Sequence, residues 1–401
     1  MKKTNTILAV TLSVLTGCGE QKSMTGDVVT VDVTKNYPKK ELILQDFLDV
    51  EYIPLETSSE FITMAHVEAI GKEVIVVRNR NRSSDGDIFF FDAGNGKGLK
   101  KINRLGQGGE EYIFLLGVTL DEDNGEIFVN DHYSKKVFAY DLSGKFKRSF
   151  AHSAHVAGSY YNRIYNFDRE HLICHEFNAD MDRTSDRSIF QVISKQDGSV
   201  TREIRIPYHE KKSTVLMLID EASGEGIMAG ARNEELILFR DGWLLVEPSS
   251  DTIYRLQPDY SLTPHIARTP SIRSMNPEIF LFPGVLTDRY TFMQTVKRTY
   301  DFVVNAGFPR TDLVYDRQEN ALYRYVAYNA DFTDKKPVNL TYGNGITLIN
   351  GSEIAFLQKL EAYELVEAYE KGRLKGRLKE IAAGLDEESN PVIMLAKHKK
   401  N

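Results

Sequence analysis

Two thiols are the first groups in this chain that could do chemistry, and they sit in unlike surroundings. Cys18 closes Leu15-Thr16-Gly17-Cys18, behind the basic start Met1-Lys2-Lys3 and an apolar stretch from Ile7 to Leu15 broken only by Thr11 and Ser13. Such a stretch has the form of a signal-peptide core and is too short to span a bilayer. Narrow side chains just upstream suit a cut before the cysteine, whose thiol can carry a lipid through a thioether. Cys174, within Leu172-Ile173-Cys174, lies on the other strand face from His171 and His175 and reads as a small buried hydrophobe. With Cys18 lipidated, no intramolecular disulfide is available, although an exported chain would be permitted one.

The histidines and carboxylates give less. His171 and His175 share one face of a strand and lie too far apart along it to hold one metal ion. His152 and His155 fall in a turn-like segment and could approach a common ion, but no third ligand is identifiable. His-Glu-x-x-His, paired Cys-x-x-Cys, a Gly-x-Ser-x-Gly elbow and the box Ser-x-Asp-x-Gly-x-Thr-Trp do not occur. Gly106-Gln107-Gly108-Gly109 is not followed by the Lys-Ser/Thr of a phosphate-cradling loop and reads as a tight connection. Asp121, Asp141, Asp197 and Asp241 sit in turns, where Asp usually bonds the local backbone. No catalytic residue, cofactor or metal is therefore assigned; Ca²⁺ is admitted, without a motif to support it. Two loops are candidate binding elements. Arg78-Asn79-Arg80-Asn81-Arg82 carries three arginines able to hold an anion, with a solvated loop as the competing reading, and Asn130-Asp131-His132-Tyr133 is the second.

The elements that must position these groups are short strands. The clearest pattern runs from Gly117 to Phe150: strands at Val118 to Leu120, Glu126 to Asn130, Lys136 to Tyr140 and Lys145 to Phe150, divided by Asp-, Asn- and Gly-rich turns. Four antiparallel strands in this span have the length of one propeller blade. Weaker copies occur at Val74 to Val77 with Asp87 to Asp92, at His171 to Glu176 with Ile189 to Ile193, at Asp241 to Val246 with Asp251 to Leu256, and at Asp312 to Asp316 with Ala321 to Tyr325. Such repetition predicts an all-β fold built from one stacked unit.

The segments Glu51-Tyr52-Ile53-Pro54-Leu55-Glu56-Thr57, Gly106 to Tyr112, Ser250 to Leu256 and Asn390-Pro391-Val392-Ile393-Met394-Leu395 sharpen this. With the best blade they resemble a family of six-bladed β-propeller lipoproteins common in Bacteroidota, with blades similar to the NHL type. One departure is visible: Gly109 and Glu110 stand where that family usually has Pro and a second Gly. Residues 15–18 likewise resemble a bacterial lipobox. The resemblance implies six blades, a palmitate-bearing membrane anchor at Cys18 and a place near outer-membrane nutrient uptake.

The expected organisation is a lipoprotein signal peptide at 1–17, a flexible tether at 18–27 and a propeller at 28–401. Six blades would average about 64 residues, more than four short strands need, so insertions are expected. One is placed at Lys211 to Asn233. Another is an amphipathic helix at about 356–385, carrying Phe356, Leu360, Tyr363, Leu374, Leu378, Ile381 and Leu385 and bent near Gly372 and Gly376. Asn390 to Leu395 is expected to share a blade with Val28 to Val33 or with Val50 to Leu55, which would close the ring.

Composition bounds the partners. A chain that is 42% hydrophobic and 27% charged suits a globular fold, and the net charge of −7 argues against general nucleic-acid binding. The expected partners are a membrane, through the lipid on Cys18, and an envelope protein or a glycan. Only Glu20 and Asp27 are acidic soon after Cys18, which favours the periplasmic side of the outer membrane and leaves cell-surface display open. The function expected is noncatalytic binding in the envelope. The alternative is a propeller hydrolase or lyase acting on a glycan, peptide or lactone.

Overall fold

Strand Asp87–Asp92 shows in six residues why this chain builds blades. Its centre, Ile88-Phe89-Phe90-Phe91, is apolar without alternation, yet a strand sends successive side chains to opposite faces. Phe90 packs with Ile127, Val129 and Tyr140, whereas Phe89 and Phe91 pack with Ile53, Phe61, Leu357 and Leu395. Both faces are buried, each against a different neighbouring sheet. Full burial of a Phe side chain contributes about 1.5–3 kcal/mol. Strand Glu126–Asp131 repeats the device, with Ile127 and Val129 turned to one neighbour and Phe128 to the other.

The computed structural model describes residues 28–79, 85–153, 159–177, 188–219, 224–341, 346–347 and 353–399. Cys18, Arg80, Arg82 and His155 lie outside them, as do the signal peptide and tether. The strands form a six-bladed β-propeller. Blade one comprises His66–Ile70, Val74–Arg78, Asp87–Asp92 and Gly98–Asn103. Blade two comprises Gly117–Asp121, Glu126–Asp131, Lys136–Asp141 and Phe146–Ala151, close to the four strands expected. Blade three follows with Tyr160–Asn166, His171–Phe177, Phe190–Ser194 and Val200–Ile204. Blade four has Leu236–Phe239, Gly242–Leu245, Thr252–Leu256 and Leu262–Thr269. Blade five has Ile279–Leu286, Tyr290–Lys297, Arg310–Asp316 and Ala321–Tyr328.

Blade six joins the two ends of the chain. Ile346–Thr347, Ile354–Leu360 and Val392–His398 are completed by Leu48–Pro54, which pairs antiparallel with Val392–His398. Of the two N-terminal segments offered for this place, the second fills it. The first, Val29–Asp32, lies parallel to Leu262–Thr269 on the edge of blade four. Lys39–Ile43 does the same against Ala321–Tyr328 on blade five. Residues 29–54 thus cross three successive blades, covering strand edges that would otherwise be open to other chains. Close approach at the closure needs glycine: Gly96 has φ +74°, and a Cβ there would meet the Pro54 carbonyl oxygen at 2.0 Å.

Two insertions depart from expectation in form. Residues 356–360 are not helical but belong to strand Ile354–Leu360, with Phe356 and Leu360 buried. The helix is two short ones, Ala362–Glu370 and Gly376–Ala382, with Gly372 and Gly376 at positive φ between and at the break. The insertion after blade three is a hairpin, Val215–Ile219 paired with Gly226–Gly230.

Candidate functional site

A cavity of about 1390 Å³ draws its wall from all six blades. The first strands of blades one to three contribute their N-terminal residues, among them Glu68, Val118 and Arg163. Arg232 and Glu234 precede the first strand of blade four; Gln294, Arg310 and Asp312 come from blade five; Gln358 and Lys359 come from blade six.

Much of this wall is held by internal ion pairs. The Arg78 Nε–H donates to Glu68 Oε1 at 2.6 Å and its Nη2–H to the Leu116 carbonyl at 2.7 Å, while Glu68 Oε2 accepts the Val118 N–H at 2.9 Å. Burial would raise the Glu68 carboxyl, but the charges of Arg78 and His66 and the Val118 N–H outweigh it and hold it below the usual carboxylate range. Arg78 is therefore a buried tie between blades one and two and not the free loop cation the sequence suggested. Asp131 is also committed: it is fully buried and accepts the N–H groups of Ile113, Tyr133 and Ser134 at 2.7, 2.9 and 3.1 Å.

His132 and Tyr133 do reach the rim. They stack with ring centroids 4.3 Å apart, and both meet the edge of Phe114, a cavity residue, at 4.8 and 5.2 Å. Tyr160 continues the shelf 5.1 Å from His132. Tyr133 is 67% exposed, so the shelf carries an exposed aromatic ring beside the cavity residue Phe114. Burial pushes the His132 imidazole below its ordinary value, with Asp131 opposing, so the ring is neutral near pH 7.

Between blades three and four, Arg163 lies between two glutamates. Its Nε is 2.9 Å from Glu234 Oε1 and 3.6 Å from Glu235 Oε2, and the Tyr165 hydroxyl donates to Glu234 Oε1 at 2.7 Å. Burial, aided by the Glu234 charge and opposed by Arg163, pushes the Glu235 carboxyl up to about 7. A carboxyl raised on folding contributes stability that is present below its unfolded value and is lost as pH rises through about 7. Glu235→Gln is expected to raise the urea midpoint clearly at pH 8 and by much less at pH 5; equal effects at both pH values would refute a raised Glu235.

Other groups are structural. Cys174 is fully buried, with its thiol pushed up by burial. His175 Nδ1 is 2.7 Å from Asn162 Oδ1, and burial pushes that imidazole down to about 3. His171 lies against Asp168. The Gly106 loop is a connection between blades, in which Glu111 accepts the Gly108 N–H at 2.8 Å. Among the described residues no group of three or more His, Cys, Asp and Glu could hold a metal ion.

Sequence reading missed Glu68, Arg163, Glu234 and Arg310. Glu68 beside buried Val67 and Arg163 beside buried Ile164 put a charge inside first strands, whereas Glu234 sits in the polar run Arg232 to Glu235 and Arg310 in Arg310-Thr311-Asp312. For the first two alone, that interruption was the available signal.

A family model described as a domain of unknown function (DUF4934) matches residues 28–397. The fold is similar to that of a Bacteroides fragilis protein described provisionally as exported, at TM-score 0.62 and 14% identity over 93% of this chain and 100% of that one. A member of the DUF4221 family from Bacteroides vulgatus aligns at TM-score 0.43 and 12% identity over 89% and 100%. No curated protein matches the sequence.

Proposed function

The chain belongs to the DUF4934 family, and from that premise we propose that it is an envelope lipoprotein holding a polar ligand in its central cavity. The cavity carries this reading: about 1390 Å³ with charged groups in its wall and an aromatic shelf beside it has room and polar partners for such a ligand. Leu15-Thr16-Gly17-Cys18 supports lipidation at Cys18, with the outer membrane, periplasmic side, as the place of work. The provisional export of the Bacteroides fragilis neighbour is consistent with that. A role accessory to nutrient uptake follows from the family resemblance, and a glycan or a peptide suits the shelf and polar wall.

One experiment in two parts tests this. Cys18→Ser is expected to abolish palmitate labelling and move the protein from the membrane to the soluble fraction. That soluble form is then screened by ligand-detected NMR against oligosaccharides and short peptides, with Gln358→Trp narrowing the cavity. Retained palmitate sinks the anchor; binding that ignores Gln358→Trp sinks the cavity.

A second reading, an enzyme acting on a glycan, peptide or lactone, has one observation in its favour. Glu234 and Glu235 flank Arg163, and Glu235 is poised near neutrality, as a general acid must be. Cleavage of any bound ligand in the same screen, lost in Glu235→Gln, would establish it.

A further inference from the structure

Six cations and five carboxylates face the cavity, in a chain whose net charge is −7. Most of them cancel locally. Arg78 is paired with Glu68, Arg163 with Glu234 and Glu235, Lys336 with Glu364 and Lys359 with Glu361. Arg232 and Arg310 differ. Among the described residues neither has a carboxylate within ion-pair distance, and the two are neighbours, since the Arg310 Nη2–H reaches the Arg232 carbonyl at 3.5 Å.

Arg310 is held in place from behind. Its Nη1–H donates to Gln294 Oε1. Gln294 is buried and cannot turn, because its Nε2 donates to Asp312 Oδ1 at 2.7 Å and to Thr341 Oγ1 at 3.1 Å. The Thr341 hydroxyl donates in turn to Asn339 Oδ1 at 2.6 Å. Asp312 favours the Arg310 charge from nearby, but its hydrogen bond goes to the amide. A guanidinium oriented in this way loses little freedom when it binds an anion, and guanidinium forks match carboxylates. The same cavity carries the Phe114 shelf, whose rings suit the apolar face of a sugar.

We propose that Arg232 and Arg310 form an anion subsite of the cavity and that its ligand is a uronate-bearing oligosaccharide. One sugar carboxylate lies on the two guanidinium groups, and another sugar of the same oligosaccharide lies against Phe114 elsewhere in the cavity wall. This rests on the cavity being the binding site, and adds the ligand's charge and class.

Isothermal titration of the Cys18→Ser protein with tetragalacturonate and with its methyl ester tests the subsite, because esterification removes the charge and keeps the sugar backbone. The acid is expected to bind about tenfold or more tighter than the ester. In R232Q, R310Q and the double variant that ratio falls toward one, chiefly through loss of affinity for the acid. Both arginines are exposed, so these variants keep the fold. Equal binding of acid and ester overturns the subsite and leaves the cavity reading standing. Discrimination that survives in the double variant also overturns it. Binding of neither form overturns the assigned ligand class, whereas the cavity reading is decided by the separate screen with Gln358→Trp.

Discussion

Lys195→Met lowers the free energy of unfolding by about 3–5 kcal/mol. The Lys195 ammonium lies 2.5 Å from Asp121 Oδ2 and donates to the Asp168 carbonyl at 2.6 Å, with the two side chains 2% and 1% exposed. Asp121 ends the first strand of blade two, and Lys195 follows the third strand of blade three, so the pair spans two blades. Around it, the Arg148 Nε–H donates to the Lys195 carbonyl at 2.7 Å while the other guanidinium nitrogens hold Glu126. Asn124 Nδ2 bridges Asp121 and the Arg169 carbonyl at 2.8 Å each. Desolvating two charges is costly, and their mutual attraction offsets it only while both are present. Removing the cation strands a buried carboxylate; removing both charges does not. Asp121→Asn with Lys195→Met is therefore expected to recover most of the loss. Urea unfolding of the single and double variants measures this. A loss under about 1 kcal/mol for Lys195→Met would show the pair to be as weak as an exposed one.

How far sequence could reach is visible in these same residues. Asp121 sits in a turn, as its neighbours Asp123, Asn124 and Gly125 announce, and a local backbone role was the natural expectation. Asp141 and Asp197 keep to that role, accepting the N–H groups of Ser143 and Ser199. Asp121 accepts the Asn124 N–H at 3.3 Å and carries the interblade lock as well, while Asp241 takes Arg255 Nη2 at 2.6 Å. The partner of each is decided by which strand stands next to which, and that is tertiary. Blade strands were legible because both of their faces are buried, which writes them as apolar runs between Asp- and Gly-rich turns. The same property misled at Phe356 and Leu360, where an apolar run leading into two helices looks like helix. Nor did anything in Val29–Asp32 say that it would lie along blade four. Parallel edge pairing needs only a short extended segment, and several segments qualified. The cavity is the extreme case, since Glu68, Arg163 and Arg310 line one space only because the ring closes.

Asn390→Ala is expected to cost about 3 kcal/mol, and to loosen that closure specifically. Asn390 is 2% exposed, and its side chain makes three hydrogen bonds across more than three hundred residues of sequence. Nδ2 donates to the Glu56 and Phe61 carbonyls at 2.6 Å each, and Oδ1 accepts the Thr63 N–H at 2.9 Å. The backbone N–H of Asn390 adds a bond to Thr57 Oγ1 at 2.7 Å, which alanine would keep. Truncation leaves the Thr63 N–H and the Glu56 carbonyl without this partner, and the Phe61 carbonyl with only the Ser58 N–H at 3.5 Å, where the C-terminal strand meets the segment entering blade one. Asn390→Asp separates this account from simple loss of packing. It preserves the shape but sets carboxylate oxygen against two carbonyls, so at pH 7 it should destabilise more than alanine does. In acid, protonation restores one donor and the gap should narrow. If alanine and aspartate instead cost the same at both pH values, the side chain serves by filling space. Hydrogen exchange locates the effect: faster exchange concentrated in Leu48–Pro54 and Val392–His398, with blades two and three unchanged, identifies Asn390 as the clasp of the ring.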